Sequence, residues 1–335
     1  MHDTLIRAAS VVDGTEAPRY TADVAITDGV IAAIGTDLGP AHRVVDADGL
    51  VLSPGFIDMH AHSDLQVLLN PGHPSRITQG VTCEVIGQDG LSYAPVSDET
   101  LAVVRRQIAG WNTDPADFDF SWRTVGGYLD RLDAAGTATN LAYLVPHGLL
   151  RALTIGFGDG VASPAEVARM QEILAQGMRE GAVGLSTGLT YTPAMYADDA
   201  ELAALMRTTG ELGGYFSPHH RSYGAGAMEA YAEMIDLSRR TGCPLHLAHA
   251  TLNFGPNKGR APELLALLDD AVAAGADVSL DTYPYLPAPR RSPRSSRAGP
   301  RPAAPTPLSR ACATRRTSPA SGSTWSTPDP TAVTA

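Results

Sequence analysis

With 335 residues, 44% of them hydrophobic and 18% charged, the chain has an ordinary globular composition and the length for one large barrel-type domain plus a small accessory one. A formal charge of −11 argues against a phosphate-backbone partner, so no nucleic-acid binding is expected. Cys83, Cys243 and Cys312 are too few and scattered for a disulfide framework or a Cys-x-x-Cys knuckle. No apolar run spans a bilayer and Met1-His2-Asp3-Thr4 opens no signal peptide, so no membrane partner and a cytoplasmic location are expected.

In chain order, residues 1–54 alternate short β-rich runs with turns, Asp28-Gly29 among them, which predicts a small N-terminal β-sandwich domain. From residue 55 to 286, short apolar strands alternate with amphipathic helices. The strands are predicted at 55–59, 81–87, 140–147, 182–187, 215–219, 245–249 and 278–285. Helices are predicted at 165–180, 201–212, 227–240 and 261–274. Seven βα steps in one direction give an α/β chain of the (β/α)₈ TIM-barrel type, incomplete by one unit.

Polar residues fall where these strands end. His60 and His62 follow the first strand, Asp89 follows the second, and His147, His219 and His249 end the third, fifth and sixth. Asp281 lies in the seventh. C-terminal strand ends form the active-site face of such a barrel, so histidines distant in sequence converge there. Residues i and i+2 of a strand point to one side, so His60 and His62 can grip a single ion. Imidazole and carboxylate around a zinc-like ion, with one position left open for water, make a hydrolytic centre. His147 is as readily structural as functional. His246 has the wrong strand parity for a ligand and reads as structural, and only one of His219 and His220 can point into the barrel. Gly184-Leu185-Ser186-Thr187-Gly188 lacks the Gly-x-Ser-x-Gly elbow of serine hydrolases.

The segments Pro54-Gly55-Phe56-Ile57-Asp58-Met59-His60-Ala61-His62, Gly80-Val81-Thr82, Gly87-Gln88-Asp89-Gly90-Leu91-Ser92-Tyr93-Ala94-Pro95, Gly184-Leu185-Ser186-Thr187-Gly188-Leu189, His219-His220-Arg221 and Leu280-Asp281-Thr282-Tyr283-Pro284-Tyr285 resemble, in order, the N-acyl-D-amino-acid deacylases (D-aminoacylases) of the amidohydrolase superfamily. The resemblance runs from Leu5 to Tyr285. It implies an enzyme with one or two zinc ions that hydrolyses the amide of an N-acyl-D-amino acid to a carboxylate and a D-amino acid. By position, it makes His60 and His62 ligands of a weaker metal, His219 and His249 ligands of a tighter one, and Arg221 and Tyr283 substrate contacts, with Tyr283 near the carboxylate. Asp89 stands where familiar members carry a metal-ligating cysteine, which shifts the site toward harder metals. Thr251 stands where some members carry a lysine. Lys258, the only lysine, lies in the segment after the sixth strand, which disfavours the relatives that bridge two metals with a carboxylated lysine on strand 4. Another amidase or deaminase on the same scaffold, or a non-catalytic remnant that binds metal, remain the alternatives.

Composition breaks near Pro287. Residues 287–335 turn to Pro, Ala, Ser and Thr with eight arginines and a single acid, Asp329, leaving 17 basic and 35 acidic residues before them. Read alone, this is a disordered Pro/Arg tail. Codons for residues 287–300 can also be chosen so that a frame displaced by one base reads as the family's own apolar continuation, which predicts a base lost near Pro287. The resemblance implies a further strand bearing the aspartate that transfers the proton. No residue after Tyr285 supplies it, so no catalytic residue is assigned, and the sheet is expected to keep two unpaired edges and to be unstable.

Overall fold

The computed structural model describes residues 1–283; what the sequence predicts for 284–335, the displaced frame included, lies outside them. The chain divides into two compact units, Met1–Gly55 and a second that begins at Phe56.

In the first unit, β1 (His2–Val11), β2 (Tyr20–Thr27), β3 (Val30–Gly35), β4 (Ala41–Asp46) and β5 (Val51–Leu52) form one five-stranded sheet. β2 and β3 are an antiparallel hairpin closed by Asp28 and Gly29, both at positive φ (52° and 75°), the two-residue turn that suits the strand twist. The described residues supply one sheet of the small β domain predicted there: β4 pairs in parallel with β1 from His2 opposite Ala41 to Arg7 opposite Asp46, and β5 pairs in parallel with it at Ser10 opposite Val51 and Val11 opposite Leu52. Ile6, Ala9, Val11, Ala22, Val24, Ala47 and Leu52 form its buried apolar cluster.

The second unit alternates strand and helix: β6 (Phe56–Asp58), α1 (Gln66–Leu69), α2 (Pro74–Ile77), β7 (Val81–Ile86), α3 (Asp98–Asn112), α4 (Val125–Ala135), β8 (Asn140–Pro146), α5 (His147–Thr154), α6 (Pro164–Arg179), β9 (Gly184–Gly188), α7 (Asp199–Glu211), β10 (Tyr215–His219), α8 (Ala227–Thr241), β11 (Leu245–Leu247), α9 (Ala261–Ala273) and β12 (Val278–Leu280). The seven strands β6 to β12 are all parallel and lie in sequential order, curling as an open barrel of the (β/α)₈ type. Among the described residues β6 and β12 are its two edges, and Phe56 and Ile57 of β6 are 62% and 61% exposed.

Local chemistry explains the helices. Ser163 caps α6 and exchanges hydrogen bonds with Glu166, while Pro164 fills the first helical position, where its missing N–H costs nothing. Met170, Leu174 and Gly177 then share the buried face. A Cβ on Gly177 would stand 2.9 Å from Val145 Cγ2, so the glycine lets α6 lie close on β8. The main core is continuous across the unit, from Leu65 and Ile86 through Tyr143, Leu185 and Phe216 to Leu247 and Leu268. Among the described residues no helix is long and apolar enough to cross a membrane.

Candidate metal centre

His60 and His62 lie just beyond β6, and Asp89 just beyond β7. His219 is the last residue of β10, and His249 stands two residues past β11. The fold brings all five together. His60 Nε2 and His62 Nε2 are 3.2 Å apart, and each is 3.6 Å from an oxygen of Asp89. On the other side of the same carboxylate, His219 Nδ1 and His249 Nε2 are 3.0 Å apart and lie 3.5 and 3.4 Å from its oxygens. These are two trios sharing Asp89.

Asp89 is held there by its loop. Gly87, Asp89 and Gly90 all have positive φ, a conformation glycine takes freely and aspartate tolerates. Gln88 Nε2 donates to Met59 O at 2.7 Å and Ser217 Oγ donates to Gln88 Oε1 at 3.1 Å. Ser186 Oγ donates to Gly87 O and accepts from Gly90 N at 3.0 Å, so the hydroxyl of the rejected serine-hydrolase segment is consumed in buttressing the loop. Asp64 Oδ1 accepts from Gly87 N at 2.9 Å and from Ser92 Oγ at 2.5 Å, joining the His62 segment to it.

Electrostatics suit a cation. Burial pushes His60 down to about 3 against the pull of Asp89, which favours the neutral ring that can ligate a metal. Burial would raise Asp89, but the surrounding imidazoles, His219 first and then His60, outweigh it and hold the carboxyl well below the usual carboxylate range. His249 loses by burial and gains more from the adjacent Asp89, ending above its ordinary value. Asp89 Oδ1 is buried and accepts no hydrogen bond.

The donor set fits zinc. Bonds of 2.0–2.1 Å in a tetrahedral shell put neighbouring ligand atoms about 3.3–3.4 Å apart; the histidine nitrogens of the two trios stand 3.2 and 3.0 Å apart, and each lies 3.4–3.6 Å from one or the other oxygen of Asp89. Neutral imidazole with one carboxylate is borderline ligation, suited to zinc.

Aromatic rings wall the cluster. Trp111 of α3 stacks on His62 at 4.1 Å, and Tyr191 and Tyr223 each lie 4.8 Å from His219. Beside His60 and His62 is a cavity of about 440 Å³, lined also by Gln66, Asn70, Arg76 and Trp111.

The remaining predicted residues are placed otherwise. Arg221 donates from Nε to Glu233 at 2.8 Å and from Nη2 to Ala197 O at 2.8 Å, so two of its nitrogens are engaged within the protein. Tyr283 is half-buried. His220 points away from His219 and packs between Tyr223 and Tyr231, where burial pushes it down to about 3. His147 starts α5 and is fully buried, with Nδ1 2.8 Å from Thr187 Oγ1 and Nε2 2.6 Å from Glu201 Oε1; Arg151 holds the other oxygen of Glu201. His246 lies 2.9 Å from Asp281 Oδ2. Asp281, already marked in sequence by its place in the seventh strand, adjoins the cluster at 3.8 Å from His60 Nδ1. Trp111 also adjoins it but is not singled out in sequence, because it lies on a helix that the spacing of apolar residues does not reveal.

Residues 43–308 match the Amidohydrolase family. The chain belongs to the amidohydrolase family. This amidohydrolase is 37% identical to the N-acyl-D-glutamate deacylase of Alcaligenes xylosoxydans xylosoxydans over 284 residues, which are 84% of this chain and 57% of that protein. It is 34% identical to the D-aminoacylase of the same organism, over 85% of this chain and 57% of that one. The crystal structure of N-acyl-D-glutamate deacylase from Bordetella bronchiseptica, complexed with zinc and a phosphonate that mimics the tetrahedral intermediate, is similar with a TM-score of 0.77 and 35% identity. The likeness covers 85% of this chain and 59% of that one. The amidohydrolase described here therefore spans somewhat more than half the length of these relatives.

Proposed function

We propose that this chain carries the metal centre of an N-acyl-D-amino-acid deacylase, which hydrolyses the linear amide to a carboxylate and a free D-amino acid. The observation that carries the reading is the convergence of four histidines from three separate strand ends on the one carboxylate of Asp89. His60 and His62 form one side of a centre for one or two zinc ions, His219 and His249 form the other, and Asp89 serves both. Zinc bound there would act as a Lewis acid on the amide carbonyl and on the attacking water.

The chain's own residues have separate tasks. Thr190 Oγ1, 2.8 Å from His219 Nε2, turns the other ring nitrogen toward Asp89. Trp111, Tyr191 and Tyr223 shield the cluster from bulk water, which strengthens the local electrostatics. The adjoining cavity of about 440 Å³ is in the range of small-molecule sites. Arg221, through the nitrogen not bound to Glu233 or Ala197, and Tyr283 are assigned to the substrate carboxylate. The deacylases at 34–37% identity support the substrate class. The free thiols of Cys83 and Cys243 support a cytoplasmic setting.

The test is metal analysis of the purified 335-residue chain together with an assay on N-acetyl-D-methionine and its L-enantiomer. Zinc bound in stoichiometric amount is expected, and any hydrolysis should release D-methionine alone. Metal bound without hydrolysis of either enantiomer would refute the activity and leave a metal-binding remnant.

A further inference from the structure

Asp281, the residue after β12, has more bonds to the metal-side turn than any motif announces. Strands β11 and β12 pair with His246 opposite Ser279 and Leu247 opposite Leu280, and the ladder ends there. His249 lies past it with φ +34°, a left-handed backbone that is strained for a residue other than glycine and persists only where its surroundings enforce it. Asp281 supplies the enforcement. Its Oδ1 accepts from His249 N at 2.6 Å, its carbonyl accepts from Ala250 N at 2.7 Å, and its own N–H donates to Leu247 O at 3.2 Å. The second carboxylate oxygen is fixed by His246, whose Nε2 is 2.9 Å away and whose Nδ1 is 2.8 Å from Ser279 Oγ. That same oxygen faces His60 Nδ1 at 3.8 Å, a buried nitrogen with no hydrogen-bond partner.

We infer that Asp281, backed by His246, is a positioning residue that clamps the strained backbone of His249 and faces the rear of His60, and so sets the zinc affinity of both trios without touching the ion. The inference rests on the reading of His60 and His249 as ligands. Outer partners of this kind orient ligand rings, and their loss typically weakens metal binding by about 10–100-fold.

The experiment measures zinc affinity of the full chain by competition with a chromophoric chelator, in wild type, Asp281→Ala, Asp281→Asn and His246→Ala, with the thermal melt of each metal-free protein. Asp281→Ala is expected to lose about 10–100-fold in affinity. Asp281→Asn keeps an oxygen able to accept from His249 N and is expected to retain most of the affinity. His246→Ala frees one oxygen but spares the clamp, and falls between them. Loss of affinity in Asp281→Asn equal to that in Asp281→Ala overturns the clamp, as does wild-type affinity in both Asp281→Ala and His246→Ala. If Asp281→Ala does not fold, the other two variants carry the comparison, and wild-type affinity in His246→Ala then overturns the inference. A wild-type chain that binds no zinc overturns the metal reading as well.

Discussion

Gly188 packs so closely on Asp89 that a Cβ built on it would stand 2.2 Å from the Asp89 carbonyl oxygen. The end of β9 thus fixes, by backbone contact alone, the height of the loop carrying the shared carboxylate. Gly188→Ala must move that loop or β9, and overpacking of this sort costs about 1–3 kcal/mol. Urea unfolding should register the loss, and zinc titration should show weaker binding at both trios. A variant with wild-type stability and zinc affinity would contradict the contact.

Asp89→Ala removes a donor common to both trios and should weaken zinc by more than the roughly 10–100-fold typical of an outer partner. Asp89→Cys replaces a hard oxygen by a soft sulfur and should instead shift preference toward cadmium over zinc. Competition between the two metals in the same titration checks this, and an unchanged ratio would show that residue 89 is not a ligand.

The His147–Glu201–Arg151 network ties α5 to α7, with all three side chains almost wholly buried. Burial works against the Glu201 carboxylate, but the bonds from His147 and then Arg151 outweigh it and hold its pKa below the ordinary 4.5. A carboxyl depressed in the folded state adds stability that is complete above its unfolded value and disappears as pH falls. Glu201→Gln strands the Arg151 charge and should cost about 3–5 kcal/mol at neutral pH. The gap to wild type should narrow below pH 4.5. A constant gap down through acid pH would refute the electrostatic account.

Trp111 stacks directly on one trio, through His62, and reaches the other only through Tyr191. Ring stacking of this kind is worth about 0.5–1.5 kcal/mol, so Trp111→Ala should weaken the His60–His62 side by roughly 2- to 10-fold and leave the His219–His249 side alone. Calorimetric zinc titration separates the two phases. Equal weakening of both would show that the tryptophan acts on the fold as a whole.

Much of the barrel and of the cluster is legible in the chain because both are periodic. Apolar runs mark the strands from Val81 to Leu280, and a polar residue just past an apolar run marks the open face, which is how Asp89, His219 and His249 stand out. What the sequence conceals depends on register. His246 has the parity of a structural residue, yet its pairing opposite Ser279 puts it against Asp281 and so one bond away from His249. Arg221 carries the charge expected of a carboxylate binder, but its link to Glu233, nearly two turns into the next helix, cannot be seen in a pattern of types. For residues 1–54 the alternation likewise reports which face of a strand is buried and not which edge it joins, so the parallel pairing of β4 and β5 on β1 is not legible in it.

The sharing of one carboxylate has a consequence for how the centre fills. Each oxygen of Asp89 faces both a histidine beyond β6 and a histidine from the far strands, so drawing it toward one pair withdraws it from the other. Two ions bound there would not occupy independent sites. Their occupancies would be thermodynamically linked, and by reciprocity each ion would alter the affinity of the other by the same factor.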